Sequence, residues 1–316
     1  MLSSEFQHSG KPPLVVILGP TAVGKTEIAI QLAERLNGEI VSADSRLFYR
    51  GMDIGTAKPT LEEQRRVPHH LVDVADPDHI LSLAEFQRLA RQTIGAVHAR
   101  GRLPFLVGGT GQYVRAVTEA WQIPPAAPDN RLRRAIEHWA ASIGPDGLHA
   151  RLGAIDPQAA AQIDYRNLRR TVRALEVIFL TGRRFSDQRQ KGDSPYQFYS
   201  LGLTRPRSEL YARIDARIEA MFEQDLIGEA QALLQKGYDP GLPTLSAIGY
   251  AEAIACVQGR MTLEQARESM QRRTRQFVRR QANWFKPQDP DIHWFTAGLT
   301  GLEEMESALR NWLETC

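Results

Sequence analysis

The octet Gly19-Pro20-Thr21-Ala22-Val23-Gly24-Lys25-Thr26 places two glycines around four intervening residues and follows the second with Lys and Thr. That spacing is the phosphate-binding P-loop pattern. The glycines let successive backbone N–H groups curl toward one hollow, and the next helix adds the positive end of its dipole. Lys25 reaches outer phosphates as a point charge, and the Thr26 hydroxyl suits a phosphate-bound Mg²⁺. Asp44 is a second chemical candidate, just after the strand-like run Glu39-Ile40-Val41-Ser42-Ala43. In open α/β sheets ligands gather outside the carboxyl ends of the strands, so a carboxylate there stands beside the phosphate hollow and can accept a proton from an attacking group. By position alone, a helix cap or a solvated turn is the commoner role for such an Asp. Thr110, inside Gly108-Gly109-Thr110-Gly111, has the same choice between contacting substrate and bonding its own backbone.

Arginines supply the other chemistry. Arg166, Arg169, Arg170 and Arg173 recur at intervals of three and four, so they line one face of a helix over 167–180 whose other face carries Leu168, Leu175, Ile178 and Phe179. Like charges in one stripe repel unless anions answer them, and only Glu176 is near in sequence. A solvated charged face is the even alternative. A second basic run, Arg267, Arg272, Arg273, Arg275, Arg279 and Arg280, follows a Thr262/Gln265 capping box and ends in Trp284-Phe285-Lys286. Basic residues interleaved with aromatics suit RNA, although the aromatics can equally be core. Arg213 and Arg217 form a third pair one helical turn apart. His69 and His70, consecutive on an extended segment, point oppositely and have no partner at ligand spacing, so they are structural or substrate-adjacent.

The elements that must position these residues are legible in outline. Strands are predicted over 14–18, 39–43, 103–107, 197–203 and 292–295. A helix follows the phosphate loop with Ile28, Ala29, Leu32 and Leu36 on one face, and Asn37-Gly38 stops it. Further helices are expected over 82–99, throughout 130–182, as two long helices between 208 and 280, and from 298 onward. Residues 49–59 read as an ordered loop, and the proline- and alanine-rich stretch 121–128 reads as a boundary. No strand ends in a second acidic motif of the NTPase kind: residues 103–107 run into glycines, and the comparable carboxylate is Asp73. A diphosphate other than ATP therefore fits the loop.

At 316 residues, with 42 % hydrophobic and 24 % charged residues, the chain has the composition of a soluble globular protein. Its net charge of +2 does not mark the whole surface for nucleic acid, although only six of the 39 basic residues are lysine and arginine is the better phosphate fork. No apolar run approaches membrane-spanning length, and residues 1–13 lack a signal-peptide core, so a cytoplasmic location is expected. Cys256 and Cys316 form neither a disulfide framework nor a metal spacing, and Cys256 is expected in the core.

Taken together, GPTAVGKT at 19–26, SADSRLFYRGMDIGTAKP at 42–59, HHLVD at 69–73, LVGGTGQY at 106–113, NLRRTVRALEV at 167–177, AIGY at 247–250 and RQFVRRQANWF at 275–285 resemble the tRNA dimethylallyltransferases, also called tRNA isopentenyltransferases. The resemblance covers residues 14–286. It implies an α/β fold, a P-loop NTPase-like core with a central parallel sheet flanked by helices (12–120 and 195–316), plus a helical insertion domain over 121–194 that contacts the tRNA anticodon stem-loop. It implies transfer of a dimethylallyl group from dimethylallyl diphosphate to N6 of the adenosine 3′-adjacent to the anticodon, by a cytoplasmic monomer using Mg²⁺.

Carried over by motif, Gly19 to Thr26 would bind the diphosphate with Mg²⁺ at Thr26. Asp44 would be the base on N6, Thr110 would lie beside the reacting centre, and Arg217 would neutralise the leaving diphosphate. Asp44, Ser45, Arg46, Leu47, Thr110, Arg131, Arg169, Arg170, Thr171, Val172, Arg173, Ser246, Ala247, Ile248, Gly249 and Tyr250 would meet tRNA. Leu47, Gln112 and Ser246 depart from the commoner residues at the edge of the tRNA site. The chain ends without the zinc finger of eukaryotic relatives, which reads as the bacterial type. The rival readings are a P-loop small-molecule kinase and a non-catalytic RNA-binding module.

Overall fold

The computed structural model describes residues 10–123, 129–188 and 192–316. Residues 1–9, the 124–128 part of the boundary stretch and residues 189–191 lie outside the described residues.

The first βα unit is β1 (Pro13–Leu18), the phosphate loop and α1 (Lys25–Arg35), followed by β2 (Gly38–Ser42). All residues of β1 and β2 are buried, as strands of a parallel sheet covered on both faces must be. Glu39 is the one carboxylate among them. Burial would raise its pKa, but Arg100 at 2.6 Å and His70 at 2.7 Å hold it below the usual carboxylate range. His70 is thereby a structural residue, and His69 is another, its Nδ1 2.8 Å from the Val67 carbonyl.

The chain continues through α2 (Leu61–Arg66), β3 (His69–His70), α3 (Leu83–Ala99), β4 (Leu103–Gly108) and α4 (Gly111–Thr118). Four helices follow: α5 (Asn130–Ile155), kinked at Gly144-Pro145, then α6 (Pro157–Gln162), α7 (Leu168–Thr181) and α8 (Phe185–Gln188). Next come β5 (Gln197–Thr204), α9 (Arg207–Glu223), α10 (Leu226–Gln235), α11 (Tyr250–Val257), α12 (Leu263–Gln281), β6 (Ile292–Thr296) and α13 (Leu299–Leu313). The six strands form one parallel sheet in the order β3-β2-β4-β1-β5-β6.

Four helices replace the two expected between 208 and 280. Asp225 (φ 68°), Gly237 (φ 90°) and Gly259 (φ 70°) take positive-φ backbone just past the ends of α9, α10 and α11, and Gly249 (φ 100°) opens α11. Cys256, expected in the core, is only half-buried. Among the described residues no helix is long and apolar enough to cross a membrane.

The described residues pack as two compact units, one of 10–81, 86–118 and 194–316, the other of 82–85, 119–123, 129–188 and 192–193. The second unit has its own core, in which Ile136, Leu148, Leu152, Ile163, Val172 and Leu175 are buried.

Candidate active site

Register explains why three loops share one edge of the sheet. Ser42 pairs with Val107 and Leu18 with Gly108, so β2, β4 and β1 end at one level and hand on to Asp44, Gly109-Thr110 and the phosphate loop. Gly108 lets the two strand ends close, since a Cβ there would lie 2.5 Å from the Ala43 carbonyl oxygen. Gly19 is required for a similar reason, because its Cβ would meet the Leu203 carbonyl oxygen at 2.8 Å.

Within the loop, Gly24 (φ 108°) opens α1. The Lys25 side chain turns inward and its Nζ donates to the carbonyls of Gly19 (3.0 Å) and Pro20 (2.8 Å). Desolvation lowers the Lys25 pKa to about 8; the Asp44 carboxylate opposes that fall and the Arg217 guanidinium adds to it. Arg217, on α9, is pushed below its ordinary value by burial and by Arg213, and Asp44 again pulls the other way. Lys25, Asp44 and Arg217 therefore feel one another's charge at the head of the phosphate loop. Thr26 is exposed at its mouth.

Asp44 is partly exposed; its Oδ1 accepts the Arg46 N–H at 3.0 Å and its own N–H donates to Ser42 Oγ at 3.2 Å. One carboxylate thus carries a turn-capping bond and a second oxygen with no hydrogen-bond partner among the described residues. The Thr110 carbonyl accepts the N–H groups of Tyr113 (2.9 Å) and Val114 (3.2 Å), which starts α4. Tyr113 stacks on Phe86 (centroids 4.5 Å) and Phe48 (5.9 Å), fixing that turn, and burial pushes its hydroxyl up to about 12. Asp73 does not stand free for a metal, because its Oδ1 pairs with Lys58 Nζ at 2.5 Å.

Three side chains from the second half of the core hold the loop, and of these only Arg213 stood out in the sequence, as one of a basic pair. Gln281, the last residue of α12, accepts the Thr21 N–H at 2.9 Å and donates to the Gly109 carbonyl at 3.0 Å, joining two of the three loops. Arg205 Nε donates to the Val23 carbonyl at 2.8 Å and Arg213 Nε to the Ala22 carbonyl at 2.9 Å. The available signal for Gln281 was its place in RQFVRRQANWF, for Arg213 its pairing with Arg217, and for Arg205 its place just past the end of β5.

The segment 42–59 is held from α10. The Glu229 carboxylate accepts the N–H groups of Asp53 (2.9 Å), Ile54 (2.9 Å) and Gly55 (3.3 Å) and the Tyr250 hydroxyl (2.5 Å). Tyr250 is fully buried, and a Cβ on Gly55 would come within 2.5 Å of its ring. Tyr250 and Ala247 therefore offer no side-chain surface to RNA, contrary to the expectation for this stretch, while Ser246 is exposed and Ile248 half-buried. Thr171 and Val172 are buried as well, Val172 in the core of the helical unit.

The arginine stripe divides. Arg166 pairs with Asp164 at 2.7 Å, and Arg173 pairs at 2.9 Å with Glu176, a buried carboxylate that also takes Arg133 at 2.8 Å. Arg169 and Arg170 are exposed with no ion-pair partner among the described residues, and Arg131 is exposed in the first turn of α5. The basic run on α12 divides in half: Arg267 pairs with Glu219, Arg273 with Glu252 and Arg275 with Asp215, whereas Arg272, Arg279 and Arg280 are exposed; Phe285 is buried.

The sequence matches the family model described as IPP transferase over residues 47–288. A tRNA dimethylallyltransferase of Roseiflexus sp. is 49 % identical over 96 % of the chain and 99 % of that protein, and one of Thermomicrobium roseum is 45 % identical over 95 % and 92 %. Among solved structures, a full-length tRNA isopentenylpyrophosphate transferase of Bacillus halodurans superposes with a TM-score of 0.72 at 44 % identity, covering 96 % of this chain and 97 % of that one. A eukaryotic dimethylallyltransferase described as acting on tRNA superposes with a TM-score of 0.79 at 27 % identity, over 95 % and 77 %. With a six-stranded parallel sheet carrying a phosphate loop at its edge, and with relatives that match it nearly end to end, the chain belongs to the IPP transferase family.

Proposed function

We propose that the protein transfers the dimethylallyl group of dimethylallyl diphosphate to N6 of the adenosine 3′ of the tRNA anticodon. The observation that carries the chemistry is the common level at which β1, β2 and β4 end, which brings the phosphate loop with its inward Lys25 beside Asp44 and Gly109-Thr110; the charges of Lys25, Asp44 and Arg217 influence one another there. An exocyclic adenine nitrogen is a poor nucleophile, so the allylic C–O bond must ionise readily. Lys25, Arg217 and the loop amides absorb the charge that develops on the departing diphosphate. N6 then bonds to the allylic carbon, and the second oxygen of Asp44 takes the proton it sheds. Thr110 lies beside this centre.

Mg²⁺ takes few protein oxygens and completes its shell with substrate phosphates and water, so the exposed Thr26 hydroxyl suits it; when bound it supplies further charge to the leaving group. Arg169, Arg170 and Arg131 of the helical unit, with Ser45, Arg46, Leu47, Ser246 and Ile248 of the core, are the residues we assign to the anticodon stem-loop. We take residues 121–194 as the tRNA-gripping insertion and the enzyme as a cytoplasmic monomer. The kinase alternative is set aside, because the relatives that match almost the whole chain are named for prenyl transfer.

Incubation with labelled dimethylallyl diphosphate and unmodified tRNA, followed by nucleoside analysis, should give labelled N6-dimethylallyladenosine. ATP consumption with unlabelled RNA would end this reading.

Two measurements follow from the charges. Lys25 titrates near 8, and the cradle needs it protonated, so diphosphate binding at pH 8 should draw about half a proton from buffer, and almost none at pH 6.5. Calorimetry in buffers of different ionisation enthalpy reads that uptake as the difference between wild type and Lys25→Met; equal uptake by both would remove Lys25 from the site. Replacing Arg169 and Arg170 together with Ala should lower the slope of log affinity for tRNA against log salt by roughly 1.5. An unaltered slope would leave the pair as solvated surface, and Arg173→Ala should move it less, since Glu176 already answers that charge.

A further inference from the structure

We propose that Arg205 and Arg213 are positioning residues that set the shape of the anion cradle by holding its outward carbonyls. The proposal deepens the reading of the loop as a diphosphate site and rests on it. In a trans peptide the C=O and the following N–H point in opposite directions. Arg213 Nε fixes the Ala22 carbonyl at 2.9 Å and Arg205 Nε fixes the Val23 carbonyl at 2.8 Å. The N–H groups of Val23 and Gly24 are thereby turned to the opposite side of the chain. That of Val23 closes the turn onto the Pro20 carbonyl at 3.4 Å, and that of Gly24 joins the first N–H groups of α1, which no helical carbonyl accepts.

Two further features fit a shaping role. Ala22 sits at φ 66°, a left-handed conformation unfavourable for any residue with a Cβ, and its carbonyl is the one Arg213 holds. A guanidinium on each carbonyl also polarises the peptide, so the N–H across the bond becomes a stronger donor. The end of β5 packs so closely on the loop that only glycine fits at 19, and Arg205 lies two residues beyond the Leu203 carbonyl that imposes this. Arg205 is itself neutralised by Glu209, so its part is geometric more than electrostatic. The charge that faces Lys25 and Asp44 is that of Arg217.

The test uses the full chain without RNA and measures binding of inorganic diphosphate by calorimetry at several salt concentrations. Arg205→Met and Arg213→Met should each weaken binding about tenfold, the scale of one lost hydrogen bond to a charged group, with the salt slope unchanged. Arg213→Lys, which can still donate to the Ala22 carbonyl, should recover most of the loss. Where a Met variant does not melt cooperatively, the Gln variant replaces it, with the same expectation. Wild-type affinity in both variants would overturn the proposal, and so would a loss accompanied by a smaller salt slope, because that marks direct ion contact. Should wild type itself fail to bind diphosphate, the cradle reading falls and the shaping role with it; should wild type bind and the variants bind equally well, the shaping role alone falls.

Discussion

Asp44→Asn should slow single-turnover prenyl transfer by about 10²–10⁴-fold, the range of a lost general base, while tRNA and diphosphate still bind within a few-fold of wild type. The substitution is nearly isosteric, and the Asn Oδ1 can still accept the Arg46 N–H that Asp44 accepts at 3.0 Å. Local geometry therefore survives and the loss is chemical. A second effect accompanies it. The Asp44 charge raises the pKa values of Lys25 and Arg217, so its removal lets the Lys25 pKa fall further below about 8. Donor binding in the variant should then weaken at a lower pH than in wild type. Unchanged turnover would mean that the N6 proton leaves by another route, and an unchanged pH profile would mean that Asp44 and Lys25 do not share the site.

Lys25→Met should reduce kcat/KM for the allylic donor by about 10²–10³-fold, as expected when one preorganised cation is taken from developing negative charge. The opposite sign is expected for stability. The Lys25 pKa is lower in the folded protein than the ordinary lysine value of 10.5. Below pH 8 both states are protonated, and the fold bears the full penalty of a desolvated ammonium; the penalty is relieved as pH rises from about 8 toward 10.5, where only the unfolded chain still holds the proton. Met removes that penalty, so the variant should melt no lower than wild type at pH 7, and higher if its stem packs as well. A thermal melt paired with donor kinetics checks both. Reduced activity with an equally reduced melting temperature would make Lys25 a structural residue.

Much of this site could be read from residue order because its parts are local. The phosphate loop, the strand before it and the helix after it carry their pattern within about 25 consecutive residues, and Asp44 follows from where the next strand must end. Helix α12 was legible from its capping box, in which Thr262 Oγ1 accepts the Gln265 N–H at 3.2 Å. What escaped detection depends on neighbours distant in sequence. Helical spacing puts Arg169, Arg170 and Arg173 on one stripe, but not that Glu176 would bond Arg173 and leave the other two to solvent. Matching a motif cannot separate residues that touch a substrate from those that build its support, which is why Thr171, Val172 and Tyr250 stood among the RNA contacts although each is buried. Left-handed backbone at Asp225 divided the expected long helices, and Asp is a residue that also caps helices, as it does here for Gly228 at 3.0 Å.

The clasps on the phosphate loop bear on how the protein is made. They reach across 182, 191 and 260 residues of sequence, from Arg205 to Val23, Arg213 to Ala22 and Gln281 to Thr21. A nascent chain therefore carries the complete glycine motif long before it can lock it, and every such contact must close a long loop late, which slows folding. An amino-terminal fragment released before α12 emerges from the ribosome would possess the recognisable signature yet hold pyrophosphate poorly, so anion capture marks completed synthesis.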